Sequence, residues 1–270
     1  MGWRGMENMD GFILYLTVFI FGVCTGSFLN VCILRIPKKE SVVRNGSRCV
    51  SCGGKIKPWD MIPVLSWFIL RGKCRSCGER FSFRYPFVEL LAGAGFAGLY
   101  LFYGQEIDFI FAVLLFSALT AVFFIDLEHR IIPDRINIFL LITGTLYNMV
   151  RLFVSQFDFG VLVTPAIGFF AASVPLLLLA LLSRGGMGGG DIKLMAVCGL
   201  FLGWKNIILA MFMGAFIALL SYIAVAAVKR GKRGKMIPFG PFLSVGVMVS
   251  LLYGDVIVDA YIKMVMGQTL

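Results

Sequence analysis

Two aspartates at the edges of long apolar segments are the residues of this sequence best suited to chemistry. Asp126 directly follows the apolar segment 109–125, and Asp191 directly precedes another that begins at Ile192. A charged side chain at the centre of a bilayer costs about 2.5–3.5 kcal/mol, so intramembrane acids usually serve a function. Asp126 and Asp191 are therefore the first candidates for a catalytic site.

Two such carboxylates gain a specific chemistry when the fold brings them together. Like charges about 4 Å apart repel by roughly 4 kcal/mol at an effective dielectric constant near 20, so the pair shares one proton. The ionised member can activate water while the protonated member polarises a peptide carbonyl. Gly188, Gly189 and Gly190 precede Asp191, and a backbone without side chains lets an extended peptide lie close to the site. The pattern indicates an aspartyl protease with these glycines in its active-site loop.

Each of these features also has a purely structural interpretation. Asp126 could end a helix and face water, and a glycine run is typical of a flexible turn. Asp191 could cap the helix that follows it, because Asp is a favoured N-cap residue. Asp134 follows Ile-Pro and is predicted to have a capping role only. Glu128 and His129 are predicted to be solvated loop residues.

Four cysteines form a second cluster with a recognisable spacing. Cys49 and Cys52 make one CxxC pair, Cys74 and Cys77 make another, and 21 residues separate the pairs. A glycine follows each pair and lets the chain turn back over a metal. Four thiolates at this spacing suit tetrahedral zinc, whereas disulfides are rare in the reducing cytoplasm. We predict a structural zinc site, because protein ligands fill all four positions.

The elements that position these residues must lie in a membrane. Hydrophobic residues make up 59% of the 270 positions and charged residues 15%, against about 45–50% and 25% in soluble domains. Spanning backbone must satisfy its own hydrogen bonds, which favours helices. We predict an all-α polytopic membrane protein with about eight transmembrane helices and a small zinc-knuckle cytoplasmic insert at about 35–86. The predicted spans are 12–34, 87–103, 109–125, 136–153, 161–182, 192–204, 207–228 and 237–253.

The positive charge of the chain predicts its orientation. The net charge is +10, and 12 of the 25 Lys and Arg residues lie in the segment 35–84, with five more in 229–235. Both clusters flank predicted spans, where basic residues mark the cytoplasmic side. We therefore attribute the charge to topology and predict no nucleic-acid partner. The insert and the loops that carry both aspartates are predicted to face the cytoplasm.

An ordered set of motifs resembles one family of membrane proteases. Residues 188–191 match the GxGD signature of polytopic aspartyl proteases, and Asp126 with its downstream Ile-Pro-Asp resembles the first catalytic position of the type IV prepilin peptidases. Further segments resemble that family's motifs in the same order: 26–37, 63–67, the four cysteines, 84–90 and 237–241. The resemblance extends from about residue 22 to residue 245.

The resemblance implies a bifunctional enzyme of the inner membrane. Such an enzyme removes the leader peptide of type IV prepilins or pseudopilins, the subunits of type IV pili and type II secretion systems. It then methylates the new N-terminal residue with S-adenosylmethionine. Asp126 and Asp191 carry over as the catalytic pair. By the same resemblance, residues 1–105 form a domain linked to methyl transfer and residues 106–270 form the peptidase domain.

Two rival classes of function remain at this point. In an ion- or proton-coupled transporter, Asp126 and Asp191 would bind a proton or cation, and the short sixth span would be a broken helix. In a zinc-knuckle scaffold without catalysis, both aspartates would be dispensable. Neither class explains the order of the motifs, and a transporter does not explain the cysteine insert.

Overall fold

The computed structural model describes residues 9–44, 46–49, 51–183, 187–228 and 238–266, and helices dominate this part of the chain. In its described residues, the cysteine region contains a short 3-10 turn at Pro58–Met61, a five-residue helix and two isolated bridges. The helices are α1 (Met9–Arg35), α2 (Leu65–Ile69), α3 (Arg84–Tyr103), α4 (Ile107–His129), α5 (Asp134–Val154), α6 (Gly160–Ala171), α7 (Ser173–Leu182), α8 (Gly189–Val228) and α9 (Gly240–Val265).

The prediction of an all-helical membrane protein is confirmed. Seven helical segments of the described residues are long and apolar enough to cross a membrane, with α6 and α7 together making one of them. Eight spans were predicted, and the count here is seven because the predicted spans 192–204 and 207–228 are joined in the single element α8. The last predicted span, 237–253, begins outside the described residues, and α9 contains it from residue 240 onward. The basic loop 229–235, used for orientation, lies outside the described residues.

The longest element, α8, is two helical segments joined at Gly203. A continuous helix of its 40 residues would be about 60 Å long, twice the ~30 Å hydrocarbon core of a bilayer. Gly203 has φ 71° and ψ 177°, which is not a helical conformation. A side chain there would be strained, and its Cβ would lie 2.6 Å from Cγ2 of Thr164.

The chain reverses direction at Gly203, as contacts on either side of it demonstrate. Cβ atoms built on Gly190 and Gly240 would lie 2.9 Å and 3.2 Å from the side chain of Ile132. The first turns of α8 and α9 therefore both pack against this one side chain. Gly214 also lies against the first turn of α9. In a straight helix Gly190 and Gly214 would be about 36 Å apart. Segment 192–204 therefore runs away from Ile132 and segment 207–228 returns.

The fifth predicted span, 161–182, is interrupted by a break that the sequence analysis did not predict. Helix α6 ends at Ala171 and α7 begins at Ser173. Pro175 accounts for the break, because a proline has no N–H and its ring clashes with the carbonyl four residues earlier, here that of Ala171.

The chain forms two compact units, Met1–Ala121 and Val122–Leu270. In the first unit, α1 packs closely on α3 through glycines. Cβ atoms on Gly22 and Gly26 would lie 2.7 Å from Ala92 O and 2.6 Å from Glu89 Cα, and small residues four apart are a common means of close helix packing in membranes. The division at residues 105 and 106 was based on activity, which compactness does not test, so it stays a prediction.

Candidate active site and metal centre

Asp126 lies near the end of α4 and is buried, with 5% of its surface exposed. Its Oδ2 atom accepts a 2.9 Å hydrogen bond from the backbone N–H of Gly240, the first residue of α9. A Cβ atom on Gly240 would lie only 2.7 Å from that oxygen. Residue 240 must therefore be glycine for the backbone to approach the carboxylate this closely.

Asp191 lies in the first turn of α8 and interacts electrostatically with Asp126. It is half-buried, and its N–H donates to the carbonyl of Gly188 at 3.2 Å. Because α8 begins two residues earlier, at Gly189, Asp191 is not the residue that caps the helix. The fold thus brings together two carboxylates that are 65 positions apart in the sequence.

The three glycines before Asp191 have different surroundings. A Cβ atom on Gly188 would lie 3.2 Å from Asp191 Oδ2, and one on Gly190 would lie 2.9 Å from Ile132 Cβ. A Cβ atom on Gly189 would meet nothing within 4 Å. Close contacts therefore explain Gly188 and Gly190, whereas Gly189 leaves open space beside the two carboxylates.

The predicted capping role of Asp134 is wrong. Pro133 occupies the N-cap position of α5 and Asp134 is the first helical residue, with no side-chain cap. The Asp134 carboxylate instead accepts a 2.7 Å hydrogen bond from Nζ of Lys193, two residues beyond Asp191. Glu128 and His129 are exposed, as predicted, but they belong to the last turn of α4 and not to a loop.

Gly240 is the residue of this site that the sequence analysis did not single out. It was noted only as part of the motif 237–241, because nothing local reveals that its N–H meets a carboxylate 114 positions away. The signal available was a glycine immediately before a proline at the start of an apolar segment.

The four cysteines of the insert converge as the spacing predicts. Their sulfur atoms all lie within 4.8 Å of one another, no disulfide joins them, and Cys49 Sγ is 3.8 Å from Cys77 Sγ. A tetrahedral zinc ion with Zn–S bonds of about 2.3 Å requires sulfur atoms about 3.8 Å apart. The arrangement fits a zinc ion held by four thiolates.

Each CxxC pair sits in a turn that the following glycine permits. Gly53 and Gly78 have φ of 69° and 73°, and their N–H groups donate to the carbonyls of Cys49 and Cys74 at 2.9 Å. Backbone N–H groups of Cys52 and Ser51 lower the pKa of the Cys49 thiol to about 7. Such donors favour the thiolate form that binds metal.

Two family models match the chain in succession. Residues 20–103 match the bacterial Peptidase A24 N-terminal domain, and residues 113–223 match the type IV leader peptidase family. No solved structure was found to match the chain.

Full-length relatives give the same result. The prepilin leader peptidase/N-methyltransferase of Bacillus subtilis (strain 168) is 37% identical over 252 residues, which cover 93% of this chain and 98% of that protein. Proteins of the same name from Legionella pneumophila and Stutzerimonas stutzeri are each 32% identical, over 92% of this chain and 94% and 93% of theirs.

The helical segments of membrane-spanning length in the described residues, with two acids brought together at helix ends, define a polytopic membrane protein with a candidate aspartyl-type site. The chain belongs to the type IV leader peptidase family. The resemblance stated from the motifs is thereby confirmed, and the transporter is not favoured.

Proposed function

We propose that this protein is a membrane-embedded aspartyl endopeptidase that removes the leader peptide of type IV prepilins or pseudopilins. It then methylates the new N-terminal amine with S-adenosylmethionine. The observation that carries the proposal is the meeting of Asp126 and Asp191, from two different helices, in a chain of the type IV leader peptidase family.

Asp126 and Asp191 act as a pair with one shared proton. Two adjacent carboxylates cannot both ionise readily in a partly buried site. The ionised member takes a proton from water, which attacks the scissile carbonyl, and the protonated member donates to the carbonyl oxygen. The Gly240 N–H holds one oxygen of Asp126 in place, and the other oxygen is the one proposed to act on water or substrate. The open space at Gly189 accommodates the extended peptide.

The protein resides in the inner membrane with the aspartates and the cysteine insert at the cytoplasmic face. The support is the concentration of 12 of the 25 basic residues in 35–84, because Lys and Arg mark the cytoplasmic loops of membrane proteins. A prepilin whose apolar helix lies in the bilayer then presents its leader junction at the level of the two aspartates.

Two further groups complete the proposal. Cys49, Cys52, Cys74 and Cys77 hold a structural zinc ion, which ties the two CxxC turns together. S-adenosylmethionine supplies the methyl group. The N-terminal unit, which matches the separate A24 N-terminal domain, is the part assigned to this second reaction.

The test is cleavage of a prepilin by the purified protein in the presence of S-adenosylmethionine, followed by mass analysis of the product. Wild type is compared with Asp126→Asn and Asp191→Asn, and with Glu128→Gln as an exposed acid of the same region. We expect wild type and Glu128→Gln to remove the leader and add the mass of one methylene, and both Asn variants to leave the prepilin intact. Membrane insertion and thermal unfolding establish that the variants are folded.

The outcomes separate the parts of the proposal. Cleavage without added mass would leave the peptidase in place and remove the methyl-transfer step. Cleavage of undiminished rate by either Asn variant would remove the aspartyl mechanism.

A further inference from the structure

We propose that a cavity in the N-terminal unit, where α1 and α3 meet the cysteine insert, is the binding site for S-adenosylmethionine. The inference rests on the proposed methyl transfer and assigns its location. The cavity has a volume of about 630 Å³, within the range of about 300–1,000 Å³ typical of ligand pockets. The residues that carry the argument line it from both helices and from the insert: Asn30, Glu89, Tyr85, Trp67, Lys38 and Lys55.

Helices α1 and α3 place the polar side chains of Asn30 and Glu89 next to each other in the lining of this cavity. Gly26 of α1 lies against the backbone of Glu89, and one turn further along, Asn30 Nδ2 donates to the carbonyl of Tyr85 at 3.0 Å. The two helices are thus antiparallel, with Asn30 and Glu89 at neighbouring levels. Both side chains belong to segments that span the membrane and end at the insert.

Asn30 lines the cavity and carries a buried hydrogen-bond acceptor that is unused within the described residues. Only 3% of the residue is exposed, and its Oδ1 atom accepts no hydrogen bond within the described part of the chain. Buried polar atoms are nearly always paired, so an orphan that lines a cavity indicates a partner supplied by a ligand. The amino and hydroxyl groups of S-adenosylmethionine are donors of the required kind.

Beside this acceptor, Glu89 supplies a buried carboxyl group, which carries a negative charge when ionised. It is 7% exposed, and its Oε2 atom accepts a 2.6 Å hydrogen bond from the N–H of Val64. Val64 has φ 63° and ψ −57°, a strained conformation for a β-branched residue. Strained backbone persists where its surroundings hold it, commonly at functional sites. The carboxylate is thereby fixed in place, and a cationic ligand would compensate its burial.

The remaining lining matches the other parts of S-adenosylmethionine. Trp67 and Tyr85 add aromatic surface to the lining, which suits the adenine ring. The indole of Trp67 is held by a 3.4 Å hydrogen bond from Nε1 to the Phe81 carbonyl and by an edge contact with Phe83. Lys38 and Lys55 offer positive charge to the carboxylate of the methionyl group.

The location suits the chemistry of the transfer. A free α-amino group has a pKa of about 7.7–8.0, so it first loses a proton to water. Its lone pair then forms the N–C bond to the methyl carbon while the S–C bond breaks, and those electrons stay on sulfur as a neutral thioether. The new N-terminus of a cleaved pilin, whose helix remains in the bilayer, lies at the membrane boundary, where α1 and α3 end.

The proposal is tested by binding rather than by turnover. Equilibrium dialysis of radiolabelled S-adenosylmethionine against the full-length protein in nanodiscs gives Kd for wild type, Glu89→Gln and Glu106→Gln. Gln at position 89 keeps the acceptor for the Val64 N–H and removes the charge. Glu106 is exposed, lies beyond the other end of α3 and does not line the cavity. We expect Kd to rise at least tenfold for Glu89→Gln and to stay at the wild-type value for Glu106→Gln.

A second measurement locates the ligand without any substitution. Ultraviolet cross-linking of bound S-adenosylmethionine to wild type, followed by peptide mapping, is expected to label segments 27–38 and 55–89. Unchanged Kd in Glu89→Gln, or label confined to other segments, would overturn the cavity assignment while the proposed methyl transfer stands. Wild type that binds no S-adenosylmethionine would overturn both.

Discussion

At the scale of single residues, Asp126, the proposed catalytic acid, is oriented by a backbone N–H. The donor is the N–H of Gly240, and it can approach the carboxylate because this residue has no Cβ. The motif positions of Asp126 and Asp191 could be predicted from the sequence because each lies at the edge of an apolar segment. The role of Gly240 could not, because it depends on a tertiary contact.

Gly240→Ala should impair leader cleavage without preventing folding. The new Cβ would lie 2.7 Å from Asp126 Oδ2, so the carboxylate or α9 must move, and misplacement of about 1 Å can cost 100-fold in rate. We expect cleavage to fall at least tenfold in a kinetic assay with a prepilin. Gly98→Ala is the matched control, since a Cβ there meets nothing within 4 Å. Equal rates for the two variants would contradict the positioning role.

Asp134→Asn should have little effect on cleavage, although Asp134 lies in the same motif as Asp126. Its ion pair with Lys193 is exposed on both sides, and exposed pairs contribute about 0–1 kcal/mol. We expect less than about a fivefold change in cleavage rate, beside near-complete loss in Asp126→Asn. A loss as large as that of Asp126→Asn would place Asp134 in the catalytic chemistry itself.

At the scale of elements, the main departure from the sequence analysis concerns where helices break. The apolar runs predicted the positions of the spans because the bilayer selects for length and hydrophobicity. They did not predict the break that Pro175 makes between α6 and α7, because both helices are equally apolar. The short run 192–204 did indicate an unusual span, and the reversal at Gly203 is its structural reason.

Gly203→Ala tests this reversal. The substitution forces a side chain into φ 71° and toward Thr164, and such backbone strain costs about 1–3 kcal/mol. We expect a lower midpoint of thermal unfolding for Gly203→Ala in detergent, whereas Gly98→Ala retains or raises the wild-type midpoint. An unchanged midpoint for Gly203→Ala would mean that α8 does not depend on the reversal.

At the scale of the whole molecule, the candidate metal site and the aspartate pair belong to different compact units, Met1–Ala121 and Val122–Leu270. The cysteine spacing alone predicted the metal cluster, because two CxxC pairs define a tetrahedral site almost without regard to the rest of the fold. We therefore expect zinc to stabilise the first unit and to take no part in peptide hydrolysis.

Cys74→Ser should remove zinc and weaken methyl transfer more than leader cleavage. One zinc ion per chain is expected in wild type and in Cys24→Ser, whose cysteine lies on α1 outside the cluster. Zinc in wild type should also be lost as the pH falls, because protons compete for the thiolates. Elemental analysis and separate assays of cleavage and methylation check these outcomes. Full zinc content in Cys74→Ser would contradict the four-cysteine site.

The central claim is that Asp126 and Asp191 act as one catalytic unit, and the most direct test is leader cleavage by the double variant. Residues that act together are strongly non-additive, so removing both costs about as much as removing one. We expect Asp126→Asn, Asp191→Asn and the double variant to share the same residual rate, with all three inserted and folded. Independent, multiplying losses, or substantial cleavage in any of the three, would contradict a shared aspartyl mechanism.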